Sequence, residues 1–126
     1  MDEAALWDSI NAGRDRMNFA QKRLWDAIRI NPERWTHISA NEAEHSFWVV
    51  ALIGQNVVSY NDFEHGFDRS TFIRFGEIAE LGWGQADLDA TVQDILNELE
   101  FGHPTTSRVS APQPGEFPDP NSKIDR

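Results

Sequence analysis

The stretch Phe47-Trp48-Val49-Val50-Ala51-Leu52-Ile53-Gly54-Gln55-Asn56-Val57-Val58-Ser59-Tyr60 decides the fold class. Two runs rich in β-branched and aromatic residues flank a short polar break, the composition of two strands joined by a hairpin turn. Two pairings are open. Gly54-Gln55 as a type II′ turn and a three-residue loop through Asn56 pair the strands differently, and each chooses a different core face. Under either pairing the first strand is apolar on both faces. It is therefore expected to be central, covered by helices on one face and by loops, a tail or a partner on the other.

Upstream of the hairpin, Leu6, Ile10, Gly13, Met17, Ala20, Leu24 and Ile28 recur at alternating spacings of three and four. That stripe predicts one long N-terminal helix over the first thirty residues, stopped by Asn31-Pro32. Gly13 on the stripe costs roughly 1 kcal/mol of helix propensity and marks either a close approach or a bend. Glu33 to Ala40 reads as a short strand, and Asn41 to His45 as a polar break.

Downstream, Asn61 to Ser70 reads as a loop by its Asn, Asp and Gly content, and Phe72 to Ile78 as a third hairpin strand. After Gly82-Trp83-Gly84, the residues Leu88, Val92, Ile95, Leu96 and Leu99 share one face of a closing helix, which Gly102 and Pro104 end. Five of the six prolines fall in residues 104–126, where apolar residues are sparse. Such a segment buries too little surface to offset its ordering entropy. The expectation is an α+β domain over residues 1–103, an antiparallel sheet of three to four strands packed by a long N-terminal helix and a C-terminal helix, followed by a flexible tail over 104–126.

At 126 residues with 40% hydrophobic residues, five Trp and eight Phe, the chain has material for one core. Its net charge of −10 is confined to one block: residues 41–103 hold twelve carboxylates against Arg69 and Arg74, while the flanking blocks are neutral. Non-specific attraction to nucleic acid or to an anionic membrane is disfavoured, and a basic protein would be attracted. With no cysteine, disulfides, thiolate zinc sites and thiol nucleophiles are excluded. No stretch approaches the eighteen apolar residues of a membrane span, and Met1-Asp2-Glu3-Ala4-Ala5 lacks the basic start of a secretory signal, so a cytoplasmic protein is expected.

No motif for chemistry emerges. His37, His45, His65 and His103 show no helical zinc spacing, and Asp62, Glu64, His65 and Asp68 do not match a calcium loop. Neither phosphate-binding glycine motif occurs, and the serines lack a nucleophile-elbow context. No cofactor is expected.

At Trp48-Val49-Val50-Ala51, Tyr60-Asn61-Asp62, Glu64-His65-Gly66-Phe67, Phe75-Gly76-Glu77-Ile78 and the helix from Gln85, the chain resembles small bacterial proteins of the toxin-immunity type. The resemblance spans roughly residues 45–100 and implies a non-enzymatic protein that binds a toxin domain and blocks it. An acidic inhibitor of a nuclease can imitate the phosphate backbone, with attraction accelerating association. On that reading Asp62, Glu64 and Asp68, with Glu42 and Glu44 nearby along the hairpin, form the partner-binding surface, and Phe63 or Phe67 the apolar anchor. A self-associating module that buries the two-faced strand, and a hydrolase using the carboxylates of the 62–68 loop, are the alternatives.

Overall fold

The computed structural model describes residues 1–62, 65–82 and 86–102. The elements are α1 (Glu3–Arg16), α2 (Phe19–Ile28), β1 (Arg29–Ile38), β2 (Glu44–Ile53), β3 (Asn56–Asn61), β4 (Gly66–Arg74), β5 (Glu77–Glu80) and α3 (Leu88–Phe101). The proline-rich segment 104–126 lies outside the described residues.

The chain is α+β as expected, but its sheet has five strands and closes into a barrel in the order β1-β2-β3-β4-β5. Neighbours along the chain are antiparallel, and the seam is a short parallel pairing of β1 with β5, where the Thr36 N–H donates to the Gly76 carbonyl. Closure is narrow, with one Cα pair, Thr36 with Glu77, joining β1 to β5.

The hairpin forms around Gly54, whose φ of +59° suits a residue without Cβ. Its pairing carries a bulge: Val49 faces Ser59 and Ala51 faces Val58, so Val50 is the extra residue. The bulge shifts the alternation by one. Phe47, Val49 and Leu52 therefore point into the barrel with Trp35, Val57 and Ile78, while Trp48, Val50, Ala51 and Ile53 point outward to the helices. Both faces of β2 are thus covered within one chain. The helix-facing layer holds Leu6, Ile10, Met17, Trp25, Leu88, Val92 and Ile95 against Val58, Tyr60 and Phe67, and each such burial is worth roughly 1.5–3 kcal/mol.

Three expectations are corrected. The N-terminal stripe is two helices: Met17 is extended, and Asn18 opens α2 with a capping box in which its side chain and that of Gln21 reciprocally accept backbone N–H groups. Pro32 does not end a helix. It sits inside β1 at an irregularity between Arg29 and Glu33, where a missing N–H is tolerated. The Asn61–Ser70 segment is a loop only at its start, because β4 begins at Gly66; Asp68 and Ser70 look like loop composition but face the barrel interior, opposite Ser59 and Val57.

Glycine permits two close approaches. A Cβ on Gly13 would stand 2.7 Å from the Cβ of Leu88, so α1 lies directly on the start of α3. A Cβ on Gly82 would stand 2.1 Å from the Arg69 carbonyl oxygen, where the chain crosses β4. Arg69 itself points outward, and its guanidinium meets Asp94 at 3.1 Å and Glu98 at 2.6 Å on α3.

Candidate functional site

Strand direction places the sequence-selected residues. β1 ends, β2 begins, β3 ends, β4 begins and β5 ends at the same end of the barrel. The β1–β2 turn therefore delivers exposed Glu42 and Glu44, the β3–β4 turn delivers Asp62, and the end of β5 delivers exposed Glu80. The segments that carry them, residues 37–46, 60–68 and 78–82, contain no lysine or arginine. Three stretches distant in sequence thus end on one side of the barrel, Glu42, Glu44 and Asp62 at its mouth and Glu80 set back along β4, opposite Thr71.

Local geometry fixes that rim. Ser39 and Ala43 close the β1–β2 turn through an N–H to carbonyl bond of 2.9 Å, with Glu42 at φ +65°. In the β3–β4 turn the His65 N–H donates to the Asn61 carbonyl at 2.7 Å, with His65 at φ +58°. Asp62 stands 3.1 Å from the α-amino group of Met1, and the Trp48 indole donates to the Met1 carbonyl at 3.1 Å. The Arg34 guanidinium lies over the same Trp48 ring at 4.8 Å.

Two of the expected contact residues do not reach the surface. Phe67 is 3% exposed and stands edge-on to Tyr60 at 5.2 Å, so it belongs to the helix-facing core and not to an exposed anchor. Asp68 is 2% exposed and faces the barrel interior. Phe63 and Glu64 lie outside the described residues. Glu42 and Glu44 lie by the β1–β2 turn and Asp62 just past the end of β3, at the same end of the barrel.

Sequence reasoning missed Glu80 and the histidines. Glu80 enters only through barrel closure, which no local pattern signals. His37 and His45 are directly paired across β1 and β2, at the rim end of the interior face, and the His37 ring donates from Nδ1 to the Ile78 carbonyl at 3.0 Å. The alternation of Trp35 and His37 with Phe47 and His45 was the available signal.

Beside the rim, a shallow cleft of about 180 Å³ runs between α1, the β3–β4 turn and the start of α3, lined by Ser9, Arg16, Tyr60, His65, Phe67 and Asp87 among others. It is smaller than the roughly 300–1,000 Å³ of typical small-molecule pockets. Arg16 in its wall pairs with Asp87 at 3.5 Å and Asp89 at 3.3 Å. Burial, reinforced by the Asp62 charge, raises the Tyr60 phenol above the ordinary tyrosine range, so it is neutral at physiological pH. Among the described residues no group of three or more His, Asp or Glu side chains is placed to hold a metal ion, and no helix is long and apolar enough to cross a membrane.

No family model matches the chain, and no curated protein or solved structure matches it.

Proposed function

We propose that the protein is a non-enzymatic binding module whose acidic barrel end docks a cationic protein, in the manner of an immunity protein that neutralises a toxin domain. The observation that supports this reading is that Glu42, Glu44 and Asp62 lie at the barrel end where β1 and β3 finish, with Glu80 at the end of β5, all on segments without lysine or arginine. A surface of one sign concentrates field, speeds encounter with a complementary partner and rejects phosphate-bearing surfaces. The anchor role expected of Phe67 falls away because that ring is buried.

The test is capture from the source organism's lysate by the intact chain and by a Glu42→Lys/Glu44→Lys/Glu80→Lys variant, at low and high salt. A basic protein retained by the parent chain at low salt, lost at high salt and lost with the variant supports the reading. Equal retention by both chains overturns it. Self-association is the second reading, favoured by Ile73 and Phe75, which are 87% and 64% exposed in the β4–β5 hairpin at the opposite end of the barrel. Sedimentation across a concentration series separates the two.

A further inference from the structure

Large apolar side chains are exposed at the start of α2, at the end of α3 and at the β4–β5 hairpin, and the charges beside them differ. Phe19 lies under the Arg23 guanidinium at 5.7 Å, close to Lys22. Leu99 and Phe101 alternate with Glu98 and Glu100. The hairpin segment Ile73-Arg74-Phe75-Gly76-Glu77 carries one charge of each sign. We propose that this hairpin is the contact of a two-fold homodimer, in which Ile73 and Phe75 of each copy pack on those of the other and Arg74 of each meets Glu77 of the other. The inference rests on the self-association reading given above and adds its surface and symmetry.

In a two-fold contact a patch faces its own copy. A patch of one sign therefore repels itself, which disfavours the start of α2 and the end of α3, whereas the hairpin sets a cation and an anion on each side of the axis. Its own Arg74–Glu77 pair is loose at 3.9 Å and Arg74 is 84% exposed, so the five guanidinium donors retain capacity for a second carboxylate. The tip is also held in place before contact. Phe75 stands edge-on to the interior Trp35 at 4.8 Å, and the Gly76 carbonyl accepts the Thr36 N–H at 3.1 Å. Such preorganisation lowers the ordering cost of association.

Position matters as much as composition. The chain carries a net charge of −10, so two copies repel each other. The hairpin tip lies at the end of the barrel away from Glu42 and Glu44, and pairing through it sends the two acidic mouths to opposite poles of the dimer. Their mutual repulsion is then at its weakest, since screening acts over about 8–10 Å. A contact built on two hairpin tips falls in the small class, about 1,200 Å² or less, so the dimer is weak and depends on concentration.

The test is analytical ultracentrifugation of the full chain from about 5 µM to about 500 µM. The parent should pass from monomer to dimer with a dissociation constant on the order of 50 µM. Added salt should strengthen the dimer about two- to fivefold, because it screens the net charge, the opposite sense to docking of a cation at the acidic end. Ile73→Ser, at a side chain outside the core, should weaken the dimer about tenfold, while Leu99→Ser, at another exposed apolar residue, should leave it unchanged. Glu77→Arg lowers the net negative charge, yet it should pair with itself about fivefold less well than the parent and recover a dimer when mixed with Arg74→Glu. A dimer that ignores Ile73→Ser, or that Glu77→Arg strengthens, overturns this surface and leaves self-association standing. A chain that stays monomeric throughout overturns both, and a different protein captured through Ile73 would then be the occupant of the hairpin.

Discussion

At the residue scale, two glycines and one tyrosine test the packing. Gly82 lies so close to the Arg69 carbonyl oxygen that a methyl group cannot be accommodated without moving backbone. Gly82→Ala should lower stability by roughly 2 kcal/mol or more in urea unfolding. At Gly13 the obstacle is the Leu88 Cβ, and a helix-propensity gain of about 1 kcal/mol opposes the clash. Gly13→Ala should therefore cost less than Gly82→Ala, and the reverse order would contradict the described approaches. Tyr60 is the only tyrosine in the chain, so ultraviolet titration reads it alone. Its ionisation should lie above the ordinary tyrosine range, and Asp62→Asn should bring it part of the way back, since burial is the larger cause and the Asp62 charge the smaller. Because the folded state holds this proton more tightly, Tyr60 stabilises the fold below the unfolded tyrosine range. That contribution is lost as pH rises through the raised value.

At the element scale, what was legible in the sequence followed local pattern, and what was not followed closure. The hairpin was readable because Phe47–Ile53 and Val57–Tyr60 are strand-forming runs around a glycine that takes positive φ. The face assignment was not, because a bulge at Val50 is invisible to an alternation count. The start of β4 was misread because Asp68 and Ser70 are polar residues turned inward, so its composition matched a loop. The division of α1 from α2 has a local signal, because Asn18 followed three residues later by Gln21 is a capping signature within an otherwise continuous stripe. Asn18→Ala should cost about 1 kcal/mol of stability, measured by thermal or urea unfolding. The tie between barrel and α3 makes a sharper test. Arg69 and Asp94 are 12% and 6% exposed, so Asp94→Ala leaves a mostly buried guanidinium with Glu98 alone among its two acidic contacts. The loss should reach roughly 3 kcal/mol, and an Arg69→Met/Asp94→Leu double variant should lose less than the single one.

At the scale of the whole molecule, the block of acidic residues seen along the chain becomes a surface with a direction. Some of its carboxylates are structural: Asp94 and Glu98 hold Arg69, and Asp87 and Asp89 hold Arg16. Among the described residues, Glu42, Glu44 and Asp62 are left at the barrel mouth with Glu80 set back at the end of β5, and Asp62 meets the Met1 amino group. The candidate site was therefore half legible. Glu42, Glu44 and Asp62 could be chosen from the hairpin, but Phe67 and Asp68 are turned away from solvent, and Glu80 required the closure of β5 on β1.

The most direct measurement compares two variants with equal net charge change, each assayed against a cationic oligolysine peptide across a salt series. One reverses charges at the acidic end, Glu42→Lys/Glu44→Lys/Glu80→Lys; the other reverses exposed acidic residues elsewhere, Asp8→Lys/Glu33→Lys/Glu100→Lys. The rim variant should lose the salt-sensitive binding of the parent chain, while the second should retain most of it. Equal loss in both would mean that net charge alone governs attraction and that the acidic end of the barrel is not a docking surface.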